Sequence, residues 1–274
     1  MKCIINEKMK PEFSPVALLW SNEKPEDALE FRQGSHSCVM YPFARVAAEG
    51  KTAVFSAETT GCPGAISGFG FGNGYYNAFG GAGVEFMACF FSKGSESAKD
   101  PVSYEKLIEH VPKNEKEKFT KGERLHSSRE KAVRWMTEEF PSVDIPKHYV
   151  ILKPLSEVNG NEKPVSVIFI VNPLQISALT ILVGSVCEGT EPVTAPPAAA
   201  CQQIGAYVYR EAKAEKQRAV IGFTDLAARK NIRKTLGDDI LTFAVPYSLF
   251  VRMEKEAEDG VFDGPIWRDL VKEE

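Results

Sequence analysis

The chain has 274 residues, of which 43% are hydrophobic, 10% aromatic and 26% charged. These proportions are typical of a globular protein with a packed core, and they exclude a disordered or collagen-like chain. The formal net charge is −4 and no basic stripe alternates with aromatic residues, so we do not expect nucleic-acid binding.

The hydropathy pattern shows neither a membrane span nor a secretory signal. The longest apolar runs, at 165–171 and 176–186, are separated by polar residues and proline, and neither reaches the roughly 18 residues that a span requires. The opening Met-Lys-Cys-Ile-Ile-Asn-Glu-Lys is too polar for a signal peptide. We therefore expect a cytoplasmic protein with no membrane partner.

Strand and helix patterns alternate in the first part of the chain. A continuous apolar run at 13–20 predicts a strand buried on both faces. Apolar residues then recur at helical spacing as far as Gly50, which predicts a helix over 37–49 with a glycine stop. A short strand at 52–56 follows, and the turn cluster beginning at Gly61 ends it.

A charged helical segment near 95–140 interrupts this alternation, and its lysine- and glutamate-rich centre at 112–124 is typical of solvated surface. The alternation then resumes with strands at 149–152, 165–171, 219–223 and 241–245, and with helices at 174–186, 201–213, 224–234 and 246–258.

This order of elements predicts an α/β fold, with a mixed α+β arrangement as the alternative, and a single-layer central sheet flanked by helices. The length allows one large domain or two small ones. We take 1–274 as a single domain with a charged helical insertion near 95–140.

Three cysteines are the main candidates for a functional site: Cys38, Cys62 and Cys201. Each lies at or near the end of a predicted element, where unpaired backbone amides stabilise a thiolate or a metal can approach. No pair has the two-residue gap of a zinc knuckle, so the prediction requires the fold to bring the thiols together. The competing interpretation is that they are buried core cysteines.

Two further residues are candidate ligands. Cys89 lies in the apolar run 86–91, which favours a core position, but it is the best candidate for a fourth thiolate. His36 lies two residues before Cys38 and offers an imidazole, although a solvated or capping histidine is the commoner outcome. We interpret Cys3 and Cys187 as core residues.

Glycine-rich turns form the second candidate site. Glycine permits close approach of the backbone to a ligand, and we predict cofactor contacts at Gly61, Gly64, Gly70 and Gly72. Their spacing matches neither a dinucleotide-binding loop nor a phosphate-binding loop. The neighbouring aromatic residues are Phe69, Phe71, Tyr75, Tyr76 and Phe79. Such aromatic density either walls a pocket for a flat ligand or seals a core.

Basic residues follow the predicted strand at 219–223. Arg229, Lys230 and Arg233 come soon after its carboxyl end, where open α/β sheets often place ligand-binding groups. A solvated amphipathic helix explains these residues equally well.

Several short segments occur together in a fixed order. They are Pro15-Val16-Ala17-Leu18, the Cys38-Val39-Met40 helix with Ala-Ala-Glu-Gly-Lys, Cys62-Pro63-Gly64-Ala65 running into Gly68-Phe69-Gly70, Asn172-Pro173-Leu174-Gln175, and Ala200-Cys201. Over roughly residues 15–251 this set resembles the domain of unknown function 169, the uncharacterised ArCR family of archaea and anaerobic bacteria. The resemblance implies no established general activity, but it implies that the motifs centre on Cys38, Cys62 and Cys201.

Two functions from different classes are therefore predicted. The first is an iron–sulfur cluster or another thiophilic metal held by the three cysteines, with Cys89, His36, water or substrate completing the coordination. Its role would be electron transfer or metallocofactor handling. The second is a metal-free module in which the glycine and aromatic residues bind a small ligand and the thiols are structural or redox-responsive.

Neither function specifies a reaction. The sequence identifies no base or oxyanion donor for a cysteine nucleophile, so catalysis ranks third among the hypotheses and the sequence leaves open whether the protein is an enzyme. The partners that we expect are a second copy of the chain or a redox partner.

Overall fold

The computed structural model describes residues 1–78, 82–111, 113 and 115–271. Its strands are β1 (Val16–Ser21), β2 (Ala53–Phe55), β3 (Tyr149–Pro154), β4 (Ser166–Val171), β5 (Val193–Thr194), β6 (Ala219–Gly222) and β7 (Leu241–Pro246). The α-helices among these residues are α1 (Ile4–Met9), α2 (Met40–Glu49), α3 (Pro63–Phe69), α4 (Gly83–Phe91), α5 (Pro101–Glu109), α6 (Lys116–Lys121), α7 (Arg129–Arg134), α8 (Pro173–Val186), α9 (Ala200–Ile204), α10 (Ala206–Lys213), α11 (Leu226–Leu236), α12 (Tyr247–Glu256) and α13 (Pro265–Leu270).

The chain divides into two units. The first comprises residues 1–72 and the residues from Val143 onward, and the second comprises Asn73–Ser142. The predicted charged insertion near 95–140 falls within the second unit, which also takes in 73–94.

The strands of the first unit form one seven-stranded open sheet in the order β2-β3-β1-β4-β7-β6-β5. Neighbouring strands are antiparallel, except that β5 and β6 are parallel. The register pairs Leu18 with Leu152 and Val167 with Val245. The predicted mixed α/β fold with a single central sheet flanked by helices is therefore confirmed.

Side chains alternate between the two faces of the sheet along each strand, so each face presents side chains for helices to pack against. Helices cover both faces. On one face, Leu19, Phe169 and Phe243 belong to a buried apolar cluster that includes residues of α8 and α12. The other face packs against α2, α9 and α10, while α3 lies against α9 and α11 lies against α2. The predicted cysteine site lies in this second layer.

Local sequence signals explain several element boundaries. Asn172 caps α8 by accepting the Gln175 N–H at 2.9 Å, and the Gln175 side chain accepts the Asn172 N–H at 3.1 Å. This reciprocal capping fixes the start of the helix. The predicted single helix over 201–213 is wrong, because Gly205, at φ −117° and ψ −99°, separates α9 from α10.

The second unit is helical, and aromatic residues form much of its interior. The Tyr75 ring lies 5.7 Å from Phe91 and 5.9 Å from Trp135, measured between ring centroids. The predicted solvated segment at 112–124 contains α6, where Phe119 is buried and its carbonyl accepts the Tyr104 hydroxyl at 2.9 Å. The many charged residues of this segment therefore led to a prediction that missed the burial of Phe119. Phe79 lies outside the described residues.

None of the helices in the described ranges combines the length and the apolar character that crossing a bilayer requires.

The core of the central strands gives a first test of the fold. Phe169 is fully buried on β4 and its ring centroid lies 6.2 Å from that of Phe250. We expect Phe169→Ala to lower the free energy of unfolding by about 3–5 kcal/mol, because it removes buried area and leaves a cavity. Val251→Ala on the exposed face of α12 is the control and should change it by less than about 0.5 kcal/mol. Urea denaturation measures both, and equal effects would contradict the described packing.

Candidate thiol site

The first two predicted cysteines lie where helices begin. Cys38 precedes α2 by two residues, and its carbonyl accepts the Tyr41 N–H at 3.1 Å. Cys62 has extended backbone directly before α3, whose first residue is Pro63. Proline suits this first position because its fixed φ matches the helix and its missing N–H is not needed there.

A backbone contact ties the segment before Cys38 to the segment before Cys62. The Gly61 N–H donates to the Ser35 carbonyl at 2.8 Å. A Cβ on Gly61 would lie 2.6 Å from that oxygen and 3.3 Å from the Nδ1 atom of His36. Only glycine fits so close an approach. The predicted cofactor glycine Gly61 thus serves to bring His36 and the two segments together.

The third cysteine reaches the same region through a close contact between α3 and α9. Cys201 is the second residue of α9, and its Sγ atom donates to the Gly64 carbonyl at 3.5 Å. A Cβ on Gly68 would lie 2.9 Å from the Cys201 carbonyl carbon, and a Cβ on Gly205 would collide with the Gly68 carbonyl. The two helices therefore approach to backbone contact.

Electrostatic coupling shows that the three thiols share one neighbourhood. Burial raises the pKa of the Cys38 thiol to about 11, and the charge of Cys62 contributes to the rise. Burial also raises the pKa of Cys201 well above its ordinary value, and the charges of Cys62 and Cys38 raise it further. Such effects weaken with distance. We call Cys38, Cys62 and Cys201 the thiol cluster.

Hydrogen bonds to the thiol cluster oppose the effect of burial. The Met40 N–H and the Asn231 side chain hydrogen-bond to Cys38 and lower its pKa. The Gln202 N–H does the same for Cys201. Helix-terminal donors of this kind stabilise thiolates, but here burial has the larger effect, so both thiols are protonated at neutral pH.

Asp225 lies beside the thiol cluster and is a residue that the sequence interpretation missed. Its Oδ1 atom accepts the Ala227 and Ala228 N–H groups at 2.9 and 3.2 Å, which caps α11. Its Oδ2 atom accepts the Ala200 N–H at 3.2 Å at the start of α9. The carboxylate charge raises the pKa of both Cys38 and Cys201. An acidic residue directly before a helix was the available signal.

Gln203 supports this region from inside the fold and was also missed. Its side chain is fully buried and accepts the Phe223 N–H at 2.7 Å. It donates to the Pro196 carbonyl at 2.8 Å and to the Thr224 Oγ1 atom at 2.6 Å. Phe223 has φ +64°, a left-handed conformation that non-glycine residues rarely adopt. Gln203 therefore stabilises the turn that leads into Asp225.

The remaining candidate residues have other described contacts. Cys89 is buried in α4 of the second unit, where burial raises its pKa to about 11 and Arg129 lies close enough to lower it. Gly70 and Gly72 have φ +87° and +82°, and their backbones hydrogen-bond to Ile145 and Val143. Ligand binding by Cys89, Gly64, Gly70 and Gly72 remains a prediction.

Basic residues on α11 have structural partners as well. Arg229 donates to the Phe223 and Ile240 carbonyls at 3.0 and 2.9 Å, and Arg233 pairs with Asp238 at 2.6 Å. Arg229 thus ties the start of α11 to the start of β7.

A cavity of about 520 Å³ lies elsewhere in the first unit. Its lining includes Cys187, Arg210, Glu211 and Arg218, and Glu211 is a buried carboxylate that pairs with both arginines. Neither the thiol cluster nor the predicted cofactor glycines line this cavity. It therefore does not provide the pocket expected of the metal-free hypothesis.

The thiol cluster does not have the geometry of a site for a single ion. In the described ranges, no group of three or more His, Cys, Asp or Glu side chains is arranged to hold one metal ion. Zinc needs all its sulfur ligands within about 2.3 Å of one centre. In a four-iron cluster each cysteine binds a different iron, so the sulfur ligands lie farther apart than around one ion. An iron–sulfur cluster held by Cys38, Cys62 and Cys201 stays a prediction.

A family model described as uncharacterised ArCR, domain of unknown function 169, matches residues 4–256 of the chain. No curated protein and no solved structure matches the chain.

The contact between α3 and α9 gives a second prediction. Gly68→Ala places a Cβ against the Cys201–Gln202 peptide, and overpacking of this kind costs about 1–3 kcal/mol. We expect lower unfolding free energy and faster reaction of Cys201 with a thiol reagent such as dithionitrobenzoate. Gly160→Ala is the matched control, because a Cβ there meets nothing within 4 Å. Unchanged Cys201 reactivity in Gly68→Ala would contradict the proposed constraint.

The raised thiol pKa gives a third prediction. Because the pKa of Cys38 is about 11, its alkylation rate by iodoacetamide in metal-free protein should rise about tenfold per pH unit from about pH 7 to about pH 9. Mass spectrometry of the Cys38 peptide measures the rate. Glutathione under the same conditions should level off earlier. A plateau for Cys38 below about pH 9 would show that its pKa is not raised.

Proposed function

The chain belongs to the domain of unknown function 169 family, and for this member we propose that Cys38, Cys62 and Cys201 hold an iron–sulfur cluster that serves in electron transfer or metallocofactor handling. One observation carries the proposal: three cysteines far apart in the sequence lie at or near helix starts. Hydrogen bonds from Gly61 to Ser35 and from Cys201 to Gly64 join the segments that contain them. Thiolate sulfur is the ligand that iron–sulfur clusters use.

The surroundings of the thiol cluster support this proposal. Cys201 is buried, whereas Cys38 and Cys62 are half-buried, so two of the three proposed ligands are partly accessible to solvent. N–H groups of Met40 and Gln202 point to sulfur atoms, and such hydrogen bonds tune the potential of a bound cluster. When bound, the cluster would accept and release single electrons.

The chain's own residues have three roles in this proposal. Cys38, Cys62 and Cys201 release their protons and bind iron. Asp225 positions the starts of α9 and α11 through its hydrogen bonds to Ala200, Ala227 and Ala228. His36, which lies beside Gly61, stays a candidate for the fourth ligand.

The proposal includes a reducing location for the protein. None of the six cysteines forms a disulfide bond, and cysteines usually stay reduced in the cytoplasm. We therefore place the protein there and expect the cluster to be loaded under anaerobic conditions.

The metal-free hypothesis has one observation in its favour. The raised pKa of Cys38 and Cys201 keeps both thiols protonated at neutral pH in protein that has bound no metal. In that case the thiol cluster would be redox-responsive, and purified protein would be colourless with three titrating thiols.

Anaerobic reconstitution with ferrous iron and sulfide tests the cluster. We expect brown protein with broad visible absorption and about four irons per chain. Cys62→Ser should lose most of the absorption and bound iron, because it removes one ligand from the thiol cluster. Cys187→Ser is the matched control and should retain both, since Cys187 donates to the Gln217 carbonyl and lies outside the cluster.

Two results would contradict the proposal. One is wild-type protein whose iron content stays well below one per chain after reconstitution. The other is equal loss of iron in Cys62→Ser and Cys187→Ser, which would mean that iron binds to thiols without selecting the cluster.

A further inference from the structure

The cavity in the first unit that lies away from the thiol cluster has the size of a small-molecule site. Its volume is about 520 Å³, and small-molecule sites commonly span this range. Residues from two segments line it, one within 187–192 and the other within 210–218. Both segments belong to the first unit. We call this space the charged cavity.

A buried carboxylate organises the charged cavity. Glu211 is 1% exposed, and two arginines of the lining donate to its side chain. Arg218 donates through Nε and Nη2 at 3.0 and 2.9 Å, and Arg210 donates through the same two atoms at 3.2 and 2.9 Å. One negative charge therefore faces two positive charges, so one positive charge is left without a counterpart in this trio.

Both arginines keep donors for another group. Glu211 occupies the Nε and Nη2 atoms, and among the described residues the Nη1 atoms of Arg210 and Arg218 form no hydrogen bond. The two side chains are 40% and 34% exposed, so a ligand in the cavity can reach them. Guanidinium groups held in fixed orientation bind carboxylate well, because their planar N–H donors match its geometry.

Groups that attract a cation line the same cavity. Glu188 and Glu191 are exposed, and neither forms an ion pair within the described ranges. Helices α8 and α10 also end here, since Cys187 and Ala214, the residues that follow them, line the cavity. The carboxyl end of a helix carries partial negative charge. An ammonium group is therefore favoured beside these residues.

The charges of the lining cancel. It contains three basic and three acidic side chains, namely Arg210, Lys216, Arg218, Glu188, Glu191 and Glu211. A ligand without net charge keeps this balance, whereas a multiply charged anion such as phosphate meets repulsion from the two exposed carboxylates. The composition thus favours a ligand that carries one charge of each sign.

Hydrogen bonds hold the walls of the charged cavity in place. The Cys187 thiol donates to the Gln217 carbonyl at 3.4 Å, which joins the two lining segments. The Gln217 side chain donates to the Ala212 carbonyl at 3.2 Å and to the Ser248 Oγ atom at 2.9 Å. Walls that are ordered before binding reduce the entropy that a ligand must overcome.

From these observations we propose that the charged cavity binds a free α-amino acid with an uncharged side chain. Arg210 and Arg218 hold its carboxylate through their Nη1 donors, and Glu188 and Glu191 hold its ammonium group. The site is separate from the thiol cluster, so the inference is independent of the proposed iron–sulfur function. Binding forms no covalent bond and transfers no electron.

Thermal unfolding of the full chain in the presence of each uncharged L-amino acid tests the inference. We expect at least one of them, at millimolar concentration, to raise the Tm by about 2 °C or more, because a ligand of the native state stabilises it. Isothermal titration calorimetry then compares that amino acid with its two halves, for alanine propionate and ethylamine. Each half should bind about tenfold more weakly or worse, since it leaves one set of charged groups without a partner.

Substitution of the exposed carboxylates tests recognition of the ammonium group. Glu188→Gln combined with Glu191→Gln should weaken binding of the amino acid by about tenfold and should not weaken binding of the half that lacks nitrogen. Glu215→Gln combined with Glu256→Gln is the matched control. Both of these residues are exposed and neither lines the cavity, so affinity should change by less than about twofold.

Substitution of one arginine tests recognition of the carboxylate. Arg210→Gln leaves Glu211 paired with Arg218, so the buried carboxylate keeps a partner. It should weaken binding of both the amino acid and the half that lacks nitrogen by about tenfold. Circular dichroism checks that this variant is folded, and if it is not, the exposed Glu188 and Glu191 substitutions decide the question.

Three results would overturn the inference. The first is that no amino acid of the panel raises the Tm. The second is equal affinity in the Glu188 and Glu191 variant and in its control, which would mean that the ammonium group is not recognised. The third is inorganic phosphate that binds as tightly as the amino acid, because the cavity would then be a site for simple anions.

Discussion

The close approach of α3 and α9 is the constraint on which the thiol cluster depends. Gly68 lies against the peptide between Cys201 and Gln202, and Gly205 lies against the Gly68 carbonyl, so neither position has room for a Cβ. Glycine in a helix costs conformational entropy. Here glycine allows α3 and α9 to pack closely, and this packing brings the Cys201 thiol to the Gly64 carbonyl in the first turn of α3.

Burial and hydrogen bonding act on the thiol cluster in opposite directions. Burial and the neighbouring charges favour protonated thiols, while N–H groups of Met40 and Gln202 favour thiolates. Because burial has the larger effect, metal-free protein holds Cys38 and Cys201 as neutral thiols and avoids two negative charges beside Asp225. In the proposed function, iron would replace the protons with positive charge and reverse this preference. The same hydrogen bonds would then stabilise sulfur that carries negative charge.

The sequence predicted those features that depend on local patterns. Strand β1 was predictable because its apolar run is continuous, and the start of α8 because Asn172 and Gln175 have the capping spacing. The cysteines were recognisable as lying at or near element ends, Cys62 for example because Pro63 follows it directly as the first residue of α3. Their convergence was not predictable, because it depends on a contact between helices distant in the sequence. Residue spacing carries no information about such a contact.

Other features were missed because the same sequence pattern is compatible with two different structural roles. Asp225 resembled a simple helix cap, and it is one, but the same carboxylate also fixes α9 and influences two thiols. Phe119 sits in a lysine- and glutamate-rich segment, so the local charge density concealed its burial. Cys89 lies in an apolar run, where a core cysteine and a ligand look the same. Only tertiary contacts separate these alternatives.

The two faces of the sheet differ in the chemistry of their buried side chains. The face covered by α8 and α12 is a continuous apolar cluster that includes Phe169 and Phe243. The opposite face carries buried polar groups, among them Thr242 and the side chains of Gln202 and Gln203. Burying polar groups costs stability unless they are hydrogen-bonded. The Gln203 side chain is hydrogen-bonded to the Phe223 N–H and the Thr224 Oγ1 atom, and these bonds order the turn that leads into Asp225. This buried polar group therefore supports a residue that lies beside the thiol cluster.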